Sequence, residues 1–202
     1  YAISIMKTYI DCGCHNAKTS NPLYPLIKNN DRVLYIEANP NLIDDIKRNT
    51  RSENYTVVNK AISNFNGTTK FFFDKRGFVS RTKGDKVNRK KGMRSGIATD
   101  DNYLSNFFSE ESIDTQVNTL LKVLNDNNID ETIDILKIDT EGQDYNILRH
   151  FFENNNKYVV KKIITEDYFK TNDYKYTLLK DNGYILKKKT DSDSQWIIKT
   201  TQ

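Results

Sequence analysis

Charged residues interrupt what is otherwise a buried strand near the middle of the chain. The stretch from Asp134 to Gln143 reads D-I-L-K-I-D-T-E-G-Q, and its apolar residues form the near-continuous run of a strand covered on both faces. Because successive side chains of a strand point to opposite faces, Lys137 and Asp139 share a face, and Glu141 joins them if the extended geometry continues. Unpaired charge is costly in an interior, so we expect this group at the carboxyl edge of a sheet, where open α/β folds bind ligands.

An ion pair between Lys137 and Asp139 that merely ends the strand is the structural alternative. A second carboxylate follows at once, at Glu141, and Gly142 then permits a tight turn. We therefore favour a site over a purely structural ion pair. A carboxylate at such an edge can take a proton from a reacting group.

The composition is that of one globular domain covering residues 1–202. Charged residues make up 29% of the chain and aromatic residues 11%, which excludes a disordered or fibrous protein. No stretch approaches the length of a membrane span, and the start has no signal-peptide pattern. Because the first residue is Tyr1, we expect either one domain of a larger polypeptide or a trimmed chain.

Cysteine and histidine are scarce, which limits the metal chemistry. Cys12 and Cys14 are the only cysteines, and His15 and His150 are the only histidines. A structural zinc site needs four ligands, so we expect two buried thiols in a reducing compartment rather than a zinc site or a disulfide framework. This usage favours a cytoplasmic protein.

Seven basic residues between Arg81 and Arg94 form a cluster in a chain whose other charges are dispersed. The net charge of +4 does not by itself imply nucleic acid. The cluster lies in the polar stretch 75–101, contains several glycines and predicts a basic loop inserted into the domain. This loop could fold over a bound molecule as a lid, or it could be a solvated loop, and both alternatives stay open.

Strand-like and helix-like runs alternate along the chain, which predicts a doubly wound, mostly parallel sheet with helices on both faces. Two strand-like runs at the end predict an antiparallel hairpin that closes the sheet. The predicted strands are 8–11, 33–37, 55–59, 133–139, 162–166, 184–188 and 195–199. The predicted helices are 23–28, 42–49, 117–124, 145–152 and 174–180.

Two strand ends carry residue types that suit a nucleoside. The first strand ends at Asp11, and Gly13 follows it, where a glycine would be either an ordinary turn residue or a point of close backbone approach to a ligand. The second strand ends at Glu37, and an acid there can accept both hydroxyls of a ribose. A dinucleotide needs G-x-G-x-x-G, which is absent, so the pattern favours S-adenosylmethionine.

These segments resemble the FkbM-type S-adenosylmethionine-dependent methyltransferases, whose pattern is D-x-G-A-N-x-G, E-P-N-P and L-K-I-D-x-E-G-x-E. Here the segments read D-C-G-C-H-N-A at 11–17, E-A-N-P at 37–40 and L-K-I-D-T-E-G-Q-D at 136–144. The likeness continues through V-V-N-K-A-I-S at 57–63 and I-I-T-E at 163–166, so it spans most of the chain. The departures that matter most are Ala17 for the second loop glycine, His15 for asparagine and Leu121 for an aspartate after T-L.

The resemblance implies a Rossmann-like class I methyltransferase fold with S-adenosylmethionine as cofactor. It places the methionine end beside the first loop, the ribose beside the second strand end and the adenine beside the turn after the third strand. The residues implied in cofactor binding are Asp11, Gly13, His15, Glu37, Ala38, Asn59 and Ala61.

The resemblance also implies that the charged strand end faces the methyl acceptor. Asp139 would be the base or the acceptor-orienting group, with Glu141 and Glu166 as second choices and Lys137 as its charge partner. The same three carboxylates could gather Mg²⁺ or Ca²⁺, although we favour a reaction without metal.

The implied function is O-methyl transfer to a hydroxyl of a sugar or glycan, in a protein that can be fused to further domains such as glycosyltransferases. One alternative is a nucleic-acid methyltransferase or binding module that uses the basic cluster on phosphates. We disfavour it, because the basic residues are confined to one loop without a recognition motif. A second alternative is a non-catalytic docking domain, which the changes at Ala17 and Leu121 keep open.

Overall fold

The computed structural model describes residues 6–74, 96–97, 108–167 and 172–199, which form an α/β arrangement with two sheets. The strands are β1 (Thr8–Cys12), β2 (Arg32–Ile36), β3 (Asn54–Val58), β4 (Ala61–Ser63), β5 (Gly67–Asp74), β6 (Gly96–Ile97), β7 (Phe108–Thr119), β8 (Thr132–Ile138), β9 (Val159–Glu166), β10 (Tyr184–Lys189) and β11 (Asp193–Ile198). The helices are α1 (Ile43–Asn49), α2 (Leu120–Asp126), α3 (Asp144–Asn154) and α4 (Asn172–Asp181), and a 3-10 turn, Pro40–Leu42, precedes α1.

The central sheet has seven strands in the order β10-β11-β9-β8-β1-β2-β3. Strands β9, β8, β1, β2 and β3 run parallel, whereas β11 is antiparallel to both β9 and β10. The predicted parallel sheet with a closing antiparallel hairpin is therefore confirmed. All five parallel strands end at the same edge, which is where a ligand cleft is expected.

Both faces of the central sheet are covered, which explains the near-continuous apolar sequence of its strands. Within β8, Leu136 belongs to the core on the face of α2 and α3, together with Leu148. Its neighbour Ile135 belongs to the opposite core, together with Leu23 and Ile27. None of the described helices is long and apolar enough to cross a membrane.

The predicted helix 23–28 is wrong, because this segment forms a series of turns. Pro22 and Pro25 explain the difference, since proline lacks an N–H donor and disfavours the helical conformation of the residue before it. Leu23 and Ile27 are nevertheless buried, so the i, i+4 apolar spacing correctly marked a core contact. The predicted helix 117–124 begins later, at Leu120, because Thr119 caps it by accepting a hydrogen bond from the Lys122 N–H at 3.3 Å.

A second sheet, in the order β4-β7-β5-β6, was not predicted. Its longest strand, β7, has a largely polar sequence, and its buried residues include the polar Thr115, Asn118 and Thr119 as well as Val117. Of the predicted basic insertion 75–101, only Gly96–Ile97 is described, and it pairs with β5. The basic cluster lies outside the described residues, so the lid stays a prediction.

Candidate active site

A cleft of about 290 Å³ lies where the parallel strands of the central sheet end. Its volume is close to the lower end of the range of about 300–1,000 Å³ that is usual for small-molecule sites. All of the predicted site residues except Asp11 and Asn59 line it. The sheet edge therefore brings together side chains that are far apart in the sequence.

The loop after β1 crosses the ends of the neighbouring strands at very short range. Gly13 has a left-handed backbone, with φ +71°, and its N–H donates to the Ile36 carbonyl at 2.9 Å. A Cβ atom on Gly13 would lie 1.8 Å from the Asp139 carbonyl oxygen. Glycine is thus required twice here, by the backbone angle and by the space.

The same loop keeps a left-handed backbone where the resembling family has its second glycine. Ala17 has φ +61° and is fully buried, and His15 has φ +50°. Ala17 therefore adopts a backbone conformation that favours glycine, at the usual cost of placing a Cβ in this region.

Glu37 is buried at the end of β2 and is fixed by two backbone donors. Its Oε2 accepts from the His15 N–H at 2.8 Å, and its Oε1 accepts from the Asn39 N–H at 2.9 Å. Burial raises the pKa of Glu37 from 4.5 to about 7, against the opposing effect of these hydrogen bonds. Each carboxylate oxygen keeps a further lone pair that can accept a ligand hydroxyl.

Asp11 and Asn59 are not among the residues that line the cleft. The Asp11 carboxylate is fully buried, accepts from the Asn21 amide at 2.6 Å and lies 3.3 Å from the Lys137 ammonium. The Asn59 amide donates to the carbonyl of Glu37 at 2.8 Å and to that of Ala38 at 3.1 Å. Asp11 thus helps to position Lys137, Asn59 helps to fix the end of β2, and their expected roles in cofactor binding stay predictions.

Lys137 is a buried cation that lies between the loop after β1 and the carboxylate of Asp139. Its ammonium lies 3.3 Å from Asp11 and 3.3 Å from Asp139, and it donates to the Gly13 carbonyl at 3.0 Å. Burial alone would lower the pKa of Lys137, but Asp11 and Asp139 outweigh burial and hold this pKa well above its ordinary value. Lys137 is therefore a fixed positive charge and not a proton donor at neutral pH.

Asp139, Glu141 and Glu166 form a compact acidic group at the other end of the cleft. Each offers a carboxylate oxygen, and these oxygens all lie within 4.8 Å of one another. The extended geometry does not continue to Glu141, because this residue is left-handed, with φ +52°, and it reaches the group through a tight turn. Oxygen atoms at this spacing could hold a divalent cation, although acidic groups are also common without one. The metal therefore stays a prediction.

Asp144 links the two backbone segments that carry this acidic group, and the sequence analysis did not single it out. Its buried Oδ1 accepts from the N–H of Thr140 at 3.1 Å and from its hydroxyl at 2.8 Å, while Oδ2 accepts from the Glu166 N–H at 3.1 Å. Lys175, also buried, donates to the Glu166 carbonyl. Burial raises the pKa of Asp144, and the charge of Lys175 opposes the shift.

One wall of the cleft comes from the second sheet. Ala61 and Ile62 of β4 and Phe71 of β5 line it, and all three are buried. Ile62 and Phe71 were missed because β4 and β5 were not recognised as strands. Their apolar surfaces would suit the flat face of a base.

The raised pKa of Glu37 predicts a specific pH dependence of stability. Between about pH 4.5 and pH 7 the folded state holds a proton that the unfolded state releases, so the stabilisation present at low pH is lost as the pH rises through 7. Relative to Glu37→Gln, the wild type should lose roughly 3 kcal/mol of unfolding free energy between pH 5 and pH 8. Urea denaturation at four pH values measures this difference. Glu53→Gln, at an exposed site, is the control, and parallel profiles for wild type and Glu37→Gln would contradict the assignment.

The strand order, the antiparallel closing strand and the cleft at the carboxyl edge define a Rossmann-like methyltransferase domain. Residues 11–186 match the family model described as the methyltransferase FkbM domain. The chain therefore belongs to the FkbM methyltransferase family.

Two solved structures match this chain. The FkbM methyltransferase from Methylobacillus flagellatus KT matches with a TM-score of 0.53 and 15% identity, over 98% of this chain and 44% of that protein. The precorrin-6y C5,15-methyltransferase from Geobacter metallireducens GS-15 matches with a TM-score of 0.47 and 13% identity, over 98% of this chain and 83% of that protein. The chain thus spans less than half the length of the first. A comparison with curated proteins finds no match.

Proposed function

We propose that the chain is an S-adenosylmethionine-dependent O-methyltransferase that acts on a hydroxyl of a sugar or glycan in the cytoplasm. The observation that carries the proposal is a single cleft that joins a nucleoside-type half, with Gly13 and Glu37, to the acidic group formed by Asp139, Glu141 and Glu166. Membership of the FkbM family supports the reaction class. The buried free thiols of Cys12 and Cys14 are consistent with a reducing compartment.

The residues in the nucleoside half fit the cofactor. The Glu37 carboxylate, held by two backbone N–H groups, offers acceptors for the two ribose hydroxyls. Ala38, Leu42 and Ile62 supply apolar surface for a base. When bound, S-adenosylmethionine would supply a methyl group activated by a sulfonium.

The acidic half would orient the acceptor and accept its proton. Asp139 contacts Lys137, and its side chain is 35% exposed, so it can reach both the fixed charge and a ligand. A carboxylate there can hydrogen-bond an acceptor hydroxyl, orient its oxygen toward the methyl donor and accept its proton. Neighbouring carboxylates can accept hydrogen bonds from further sugar hydroxyls.

Calorimetric titration with S-adenosylmethionine and S-adenosylhomocysteine, with NADH as the negative control, tests the proposal. We expect saturable binding of the first two only. Glu37→Ala should abolish that binding because it removes both ribose acceptors, whereas Glu53→Ala, on the surface, should leave it unchanged. Failure of the wild type to bind either compound would refute the proposal and favour a docking domain.

The proposed reaction does not require a metal, and this part is tested separately. With a cofactor-competent protein, transfer of a labelled methyl group to candidate sugars should proceed equally with Mg²⁺, with Ca²⁺ and with EDTA. Loss of transfer in EDTA that Mg²⁺ restores would assign a cation to the acidic group.

A further inference from the structure

Gln143 is a buried amide that lines the cleft and that the proposed function has not used. Gln143 immediately precedes α3 and lines the cleft. The residue is only 5% exposed. Its hydrogen bonds fall on one atom: Oε1 accepts from the Ser63 hydroxyl at 3.1 Å and from the Asn146 amide at 3.4 Å. These two contacts fix the orientation of the amide.

The other atom of this amide, Nε2, has no hydrogen-bond partner among the described residues. Nε2 is absent from the described polar atoms that lack both solvent contact and a hydrogen-bond partner. It therefore keeps some access to solvent. Because Gln143 is buried on its other sides, the accessible side of the amide is the cleft. A buried amide donor left in this way favours a ligand atom that accepts a hydrogen bond.

The surroundings of Gln143 indicate which part of a ligand it meets. Ser63, which holds its Oε1, is the last residue of β4, and Ala61 and Ile62 of the same strand line the cleft. Phe71 of the second sheet adds a third apolar side chain to this wall. The apolar wall formed by these three side chains, with the amide of Gln143 beside it, suits the face of a heteroaromatic base.

We infer that Gln143 donates a hydrogen bond from Nε2 to a ring nitrogen of the adenine and so contributes to the selection of the cofactor base. The inference rests on the proposed function, since it takes S-adenosylmethionine as the ligand. Ser63 acts through Gln143 and is a positioning residue. The ring nitrogens of adenine are acceptors, so the donor and acceptor types match.

Affinities of S-adenosylhomocysteine and 5′-methylthioadenosine for the intact chain test the inference by calorimetry. The second probe keeps the base and ribose but lacks the amino-acid chain. Gln143→Met keeps the approximate length of the side chain without its donor, and Gln143→Glu replaces the donor by an anion at pH 8. Each should weaken both probes by about tenfold or more, the scale of one lost hydrogen bond with a partner left unpaired.

Two controls separate the donor from general effects on folding. Ser63→Ala should weaken both probes by less than Gln143→Met, because it frees the amide without removing it. Gln116→Met changes an exposed glutamine that donates to Thr68, and it should have no effect. Circular dichroism and thermal unfolding show whether each variant is folded. If Gln143→Met does not fold, the isosteric variant Gln143→Glu carries the test.

Unchanged affinity of both probes in folded Gln143→Met and Gln143→Glu would overturn the inference. A loss confined to S-adenosylhomocysteine would also overturn it, because the contact would then lie at the amino-acid chain. An equal loss for both probes supports it. If the wild type binds neither probe, the proposed function fails first, and this result is distinct from every outcome in which the wild type binds.

Discussion

Asp139→Asn should reduce methyl transfer by about 10²–10⁴-fold, the usual contribution of a general base, and leave the affinity for S-adenosylhomocysteine within about twofold. Asparagine keeps the shape of the side chain but cannot take a proton. Lys137 retains Asp11 as a charge partner, 3.3 Å from its ammonium, so the variant should fold. Calorimetry and single-turnover transfer to the acceptor identified by screening measure the two quantities separately.

Asp191→Asn is the matched control, because Asp191 is exposed and lies outside the residues that line the cleft. It should change neither quantity. Retained turnover in Asp139→Asn would move the base to Glu141 or Glu166. Weak cofactor binding with normal turnover would place Asp139 at the donor instead of the acceptor.

Gly13→Ala should cost several kcal/mol of unfolding free energy and abolish cofactor binding. Two effects add up: Gly13 has a left-handed backbone, with φ +71°, and the added Cβ would lie 1.8 Å from the Asp139 carbonyl oxygen. The two nearest atoms, the carbonyl oxygen and carbon of Asp139, belong to the backbone. The loop or the segment at the end of β8 must therefore move. Urea denaturation and titration with S-adenosylhomocysteine measure the two losses.

Gly183→Ala separates the two causes. Gly183 also has a left-handed backbone, with φ +83°, but a Cβ there would meet nothing within 4 Å. It should therefore cost only about 1–2 kcal/mol, the price of the backbone conformation, and leave binding intact. Equal effects of the two substitutions would show that the close approach at Gly13 is relieved without damage.

The central sheet and the acidic edge could be predicted because their physical signals are local. Lys137 and Asp139 share a face of one strand by the two-residue period, and apolar runs mark strands that are buried on both sides. The resemblance to the FkbM family added the prediction of which residues bind the cofactor. The register of β1 against both β2 and β8 then brings Glu37 and Lys137 to one cleft.

The missed features depend on contacts between distant residues. The polar strand β7 becomes a strand through its pairing with β4 and β5, and neither its composition nor its spacing required it. Pro22 and Pro25 overrode the helical spacing of Leu23 and Ile27. The role of Asp144 depends on Thr140 in one segment and Glu166 in another, a relationship that a single sequence does not contain.

The division of the cleft between two sheets has a consequence for how such a protein can diversify. The parallel strands supply Gly13, Glu37 and Lys137, whereas Ile62 and Phe71 come from the smaller sheet. Only Asn59 and Lys60 separate β3 from β4, so the two sheets are joined at the cleft itself. Under the proposed function, mutations in the smaller sheet can reshape one wall while the loop that holds the methyl donor is inherited unchanged.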